Sequence, residues 1–160
     1  MINRNLVFML LFGTLILAAC GGQPEPAAEE AESKSMAETF TATSEGASWD
    51  GELNVLNSLG DDEWANYTVN IEDAGRYRFE IVAMSTHGGS VWFEDYLGNP
   101  DDRTYNVTSE VKIDPSEEFT TFSVDGSPLN SGEHPMRLHI KGTVAIKDFS
   151  FTKLKDPTKF

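Results

Sequence analysis

The chain has 160 residues, 39% hydrophobic and 11% aromatic, enough apolar material for one core in a domain of roughly 100–120 residues. Its 26 Asp and Glu against 12 Lys and Arg give a formal charge of −14. A surface this acidic excludes nucleic acid as a partner, and it repels anionic polysaccharides unless a cation bridges them.

The first twenty residues read "MINRNLVFMLLFGTLILAAC". Arg4 precedes an apolar run from Leu6 to Leu17, too short for a stable membrane span and suited to the apolar region of a signal peptide. The run ends in Leu17-Ala18-Ala19-Cys20, followed by Gly21-Gly22. This resembles the lipobox of bacterial lipoproteins. The resemblance implies that residues 1–19 are removed and that Cys20 is lipidated and becomes the mature N-terminus. The alternative is an ordinary signal peptide with a chance Cys at its end. Two or more acyl chains anchor stably where one does not, so a lipidated product stays on a membrane. The expected place is the cell envelope, at the outer membrane or cell surface rather than the cytoplasmic membrane. Cys20 is the only cysteine in the chain, so no disulfide reinforces the domain.

Residues 20–35 form the next segment. After Cys20 it reads "GGQPEPAAEEAESKS", with no aromatic or β-branched residue. Nothing in it offsets the entropy of ordering, and its acidic residues repel one another. A flexible tether is expected, reaching roughly 50 Å when extended.

A folded domain is expected over 36–155, with a short tail at 156–160. Its apolar period is two. Tyr67, Val69 and Ile71 alternate with Thr68 and Asn70; Tyr77, Phe79, Ile81 and Ala83 alternate with Arg78, Glu80 and Val82. With "EDAGR" between them, these two runs predict a hairpin across 63–83 turned at Gly75. Val91 and Phe93 alternate with Trp92, Glu94 and Tyr96, and Met136, Leu138 and Ile140 alternate with Arg137, His139 and Lys141. In "TVAIKDFSFTK" the phase breaks between Ile146 and Phe149, which predicts a bulge. "THGG", "LGNPDD", "DPSEE" and "DGSPLNSGEHP" separate the runs as turns. No stretch of ten residues shows a helical stripe. The fold class is all-β, an antiparallel β-sandwich or jelly roll.

Four pieces in order carry a family resemblance. "MAETFTATS" resembles the opening strand of family 6 carbohydrate-binding modules, and "DDEWANYTVNIEDAGRYRFEIVAM" resembles their central signature. "LNSGEHPMRLHIKG" and "VAIKDFSF" are similar to their last two strands. The resemblance spans residues 36–152, and family 35 modules share the jelly roll. It implies a non-catalytic glycan-binding sandwich in which Trp64 and Tyr67 belong to the scaffold. It also implies a site on edge loops, where two aromatics grip a sugar and an Asn bonds its hydroxyls. The aligned positions here are Ser58 or Leu59, Ser116, and Ala145 or Lys147, which depart from that pattern.

A second place for a glycan is the outer side of the strand around Phe93. If Val91 and Phe93 point inward, Trp92 and Tyr96 share the outer face. An aromatic surface stacks on the C–H face of a pyranose, and Glu94 and Arg78 are expected to serve its hydroxyls. The alternative is that the N-terminal segment covers this face and makes Trp92 part of a second core. Trp49, in "SEGASWDGE", either reaches sugar or pins its loop to the sandwich. Some family members ligate calcium near the first strand. Glu38 matches that position and Asp148 is a nearby companion, with a solitary edge-strand Glu as the alternative.

No zinc spacing, nucleophile motif or redox cysteine pair is present, and no insertion is long enough to form a hydrolase cleft. The expectation is a membrane-anchored lipoprotein, not an enzyme, that holds poly- or oligosaccharide weakly at the cell surface. The alternative is an envelope structural or protein-interaction module that has lost the sugar site.

Overall fold

The computed structural model describes residues 35–96 and 104–155. The expected leader, the Cys20 lipidation site, the tether up to Lys34, the expected turn "LGNPDD" and the tail at 156–160 lie outside the described residues.

Among the described residues, eleven strands follow a short 3-10 helix, Met36–Glu38. They are β1 (Ala42–Thr43), β2 (Ala47–Asp50), β3 (Val55–Ser58), β4 (Glu63–Ile71), β5 (Tyr77–Met84) and β6 (Gly89–Asp95). Then come β7 (Tyr105–Asn106), β8 (Val111–Ile113), β9 (Thr120–Asp125), β10 (Gly132–Lys141) and β11 (Ala145–Lys153). The first sheet runs β1-β4-β10-β6-β7, with β8 also on β6; the second runs β2-β3-β11-β5-β9. The strand pairs in both sheets are antiparallel.

The period-two reading places the core correctly. Ala65, Tyr67, Val69 and Ile71 of β4 are buried, as are Tyr77, Phe79, Ile81 and Ala83 of β5. Val91 and Phe93 of β6 and Met136, Leu138 and Ile140 of β10 complete the inner layer. Rings interlock the two sheets. Tyr67 meets Phe149 edge-on at 4.9 Å, Phe149 meets Phe93 at 5.0 Å, and Phe93 meets Phe79 at 5.2 Å. Truncating any one of these rings costs about 3–5 kcal/mol. The expected bulge is present as a register shift between Ile146 and Asp148.

The predicted hairpin is not a hairpin. β4 pairs with β1 and β10, whereas β5 pairs with β11 and β9. The two strands face each other across the core, about 10 Å apart as stacked sheets are. The connection Glu72–Arg76 is long enough to span that gap. Gly75 anchors it by exchanging two backbone hydrogen bonds with Leu129, at 2.9 and 2.8 Å.

The described N-terminal segment closes one side of the sandwich. Ala37 is fully buried and accepts a hydrogen bond from Tyr67 Oη at 3.2 Å. The Met36 N–H and the Ser35 hydroxyl donate to Asp148 Oδ1 at 2.8 and 3.0 Å, which ties the 3-10 helix to β11.

Candidate functional site on the outer face of the first sheet

Alternation along β4, β10 and β6 sends a second set of side chains outward. The register sets Trp64, His139 and Trp92 in one row, and Asn66, Arg137 and Glu94 in the next. His139 stacks on Trp92, with centroids 4.8 Å apart and planes within 3°. Trp92 Nε1–H donates to Glu94 Oε1 at 3.3 Å. Glu94 Oε2 lies 3.1 Å from His139 Nε2, which is buried and lacks an aligned hydrogen-bond partner. Burial pulls the His139 pKa down against the opposing pull of Glu94, so the imidazole stacks as a neutral ring at pH 7.

One face of Trp92 is therefore taken by His139, and the residue is half-buried. Trp92 also lines a groove of about 300 Å³ with Glu94, Asn106, Thr108 and Glu110. That volume sits at the lower end of ligand pockets. An indole bordered by two carboxylates, an amide and a hydroxyl matches the two needs of a pyranose, an apolar wall and a polar rim. A larger cavity of about 550 Å³ near Arg76 and Ser127 has no aromatic lining and offers no stacking surface.

Tyr96 departs from the expected platform. It follows the last residue of β6 and is only 4% exposed. The guanidinium of Arg137 covers it, 4.5 Å from its ring centroid. The same guanidinium lies 4.0 Å from the Trp64 centroid, and Arg137 Nε–H donates to Asn66 Oδ1 at 2.8 Å. Burial pushes the Tyr96 phenol up to about 12. Trp64 and Tyr67 take opposite faces of β4. Trp64 belongs to the outer row, where it packs on Arg137, and only Tyr67 enters the core.

Arg78 is not a partner of Trp92. It belongs to β5 in the other sheet and pairs with Asp125 of β9 at 2.7 Å. The alternation of β5 correctly turns Arg78 outward, but on the opposite side of the sandwich. Trp49 lies on β2, opposite Leu56, half-buried and packed against the core, so it pins its segment. The described N-terminal residues run along β11, β3 and β4, and the ring against Trp92 is His139.

Glu38 and Asp148 both sit at the junction of the 3-10 helix with β11. One Asp148 oxygen already accepts two protein hydrogen bonds. No group of three His, Cys, Asp or Glu suited to a metal occurs among the described residues. The two side chains alone fall short of the six to eight oxygens that calcium takes.

The edge-loop positions also lack a grip. Ser58 is buried, and its hydroxyl donates to the carbonyls of Gly60 and Gly142 at 3.2 and 3.0 Å. Leu59 is exposed. Phe119, three residues beyond Ser116, is 38% exposed and lies 5.8 Å from Lys147 Nζ.

His139, Arg137, Trp64 and Asn106 were not picked out from sequence as site residues. For the two β10 residues the signal was there, since both alternate with Met136, Leu138 and Ile140.

No protein-family model and no curated relative matches the chain. Solved structures do. One is a family 6 carbohydrate-binding module of lichenase 5A from Cellvibrio mixtus, solved with cellotriose. It is 20% identical with a TM-score of 0.60, and the match covers 76% of this chain and 96% of that one. A family 6 module from Clostridium cellulolyticum, solved with xylose, is 18% identical with a TM-score of 0.59, covering 76% and 97%. The Podospora anserina β-(1,4)-mannanase with a family 35 module is 13% identical with a TM-score of 0.60, covering 76% of this chain and 27% of that one. With two antiparallel sheets of matching arrangement, the chain has the jelly-roll fold of the family 6 carbohydrate-binding modules.

Proposed function

We propose that this chain is a non-catalytic glycan-binding module, anchored to a membrane through a lipid on Cys20, that holds poly- or oligosaccharide at the cell surface. The observation that carries the glycan reading is the groove beside Trp92, where a stacked indole meets Glu94, Asn106 and Glu110 on an outer sheet face. The fold supports it, since solved neighbours were determined with cellotriose and with xylose. One indole and a short polar rim suit weak binding, about micromolar to millimolar, or roughly −8 to −4 kcal/mol. Affinity gels and glycan arrays test the reading. Retardation by a neutral glucan, xylan, mannan or galactan, lost in Trp92→Ala, is the expected result. No binding to any of them would overturn it.

A second reading is an envelope protein-interaction module without a sugar site. The burial of Tyr96 favours it, because it leaves Trp92 as a single-ring platform. Recovery of one stoichiometric envelope protein, with no glycan retained, would select that reading.

A further inference from the structure

Arg137 is unlike the other described arginines. Arg78 is paired with Asp125, and Arg76 Nε donates to the Gly126 carbonyl at 3.4 Å. The Arg137 guanidinium packs against both Trp64 and Tyr96, and Asn66 takes its Nε–H. Among the described residues no carboxylate lies within ion-pair distance of it. Its terminal nitrogens have no protein acceptor and do not count among the buried unpartnered atoms, so they reach solvent. In a chain with 26 acidic residues, a guanidinium packed on two rings with no ion-pair partner among the described residues is conspicuous. The hydroxyl of Tyr96, beside it, is buried without a partner.

Guanidinium donors project as a planar fork that fits an oxyanion with two hydrogen bonds. Packing against two rings and a hydrogen bond to Asn66 restrain the side chain in advance, so less freedom is lost when an anion binds. Arg137 pairs across β10 and β6 with Glu94, which borders the Trp92 groove. A sugar at Trp92 and an anionic group at Arg137 are thus about one saccharide unit apart, given a strand spacing of about 4.8 Å.

The geometry points to Arg137 as an anion subsite that selects glycans carrying isolated acidic groups, a uronate carboxylate or a sulfate ester, on a largely neutral chain. This rests on the glycan reading above. The net charge of −14 sets the "isolated" condition. A polymer charged at every unit meets repulsion from the whole surface, whereas a single charge meets mainly the local field, because screening acts over about 8 Å at physiological salt.

The test is an NMR titration of ¹⁵N-labelled protein with methyl glucuronide, glucose 6-sulfate and uncharged methyl glucoside. The expected result is that one of the acidic ligands saturably shifts the Arg137 Nε and Trp64 indole signals and binds about tenfold or more tightly than the glucoside, the scale of one charge-assisted contact. Whichever acid does so identifies the oxyanion. Arg137→Gln should erase the preference while the indole signal of Trp92 keeps its response to the glucoside. Arg137→Lys, which keeps charge without the fork, should retain only part of it. Equal binding of acid and neutral sugars, or a preference that survives Arg137→Gln in a folded variant, overturns the inference and leaves the glycan reading standing. No response of Trp92 or Arg137 to any of the three overturns both.

Discussion

Replacing Trp92 by Ala removes the one indole that borders the groove, together with its stack on His139 and its hydrogen bond to Glu94. A fully buried Trp truncated to Ala costs about 3–5 kcal/mol. Trp92 is half-buried, so about 2 kcal/mol is expected. In a domain of this size each kcal/mol moves Tm by about 4 °C, giving a drop of about 8 °C. Sugar binding loses a stacking contact of about 1–1.5 kcal/mol, close to tenfold in Kd. Trp92→Phe keeps an aromatic wall and should retain most of both. Thermal melts and affinity gels on the two variants read these effects separately. Unchanged glycan retention by a folded Trp92→Ala would refute the assignment of the groove. A Tm drop above about 15 °C would refute the half-buried placement and make Trp92 a core ring.

Other expectations follow from the same contacts. Phe93→Ala should cost about 3–5 kcal/mol and unfold the domain in a thermal melt, since Phe93 is fully buried between Phe79 and Phe149. His134 lies between two acceptors, with Nδ1 2.5 Å from Asp95 Oδ2 and Nε2 2.8 Å from the Asn130 carbonyl. Burial lowers its pKa, but the bonds to Asp95 and Asn130 raise it more, so the folded value lies above the ordinary one. Its contribution is complete below the unfolded pKa of about 6.5 and is lost as pH rises through the folded value, so the Tm difference between wild type and His134→Gln should shrink from pH 6 to pH 9. Adding EDTA should leave Tm unchanged, because the Met36 N–H and the Ser35 hydroxyl already serve Asp148 Oδ1; a calcium-dependent rise would restore the Glu38–Asp148 site. Cys20→Ala should move the protein out of the membrane fraction, and an unchanged distribution would refute lipidation.

Alternation along a strand tells which face a side chain takes, and that much was legible. Tyr67, Phe79, Phe93 and Met136 are buried where period two places them. Alternation does not tell which strand lies beside which. Hence the two runs around "EDAGR" look like hairpin partners but lie in opposite sheets, and Arg78, outward as expected, serves a different surface from Trp92. Tyr96 illustrates a second limit. Its parity is outward, yet it is buried because a cross-strand neighbour, Arg137, folds over it, and no local pattern reports that. Asp95 is a third case. It is in phase with Val91 and Phe93 and is buried as they are, and no local pattern reports the His134 side chain that meets it.

The two faces of β10 explain why fold and ligand separate in this chain. Met136, Leu138 and Ile140 build the core, while Arg137 and His139 build the outer row. Changes in the outer set alter the chemistry of the sheet face with little effect on packing inside. The edge loops have no such freedom. Ser58 is buried, and its hydroxyl bridges the Gly60 and Gly142 carbonyls, so an aromatic ring there would have to push apart the connection between β10 and β11. The buried Ser58 closes that edge position, whereas the outer sheet face can carry ligand chemistry without touching the core. On the proposed reading, that is why the aromatic and charged side chains gather on β4, β10 and β6 while the edge positions carry Ser58, Leu59 and Ser116.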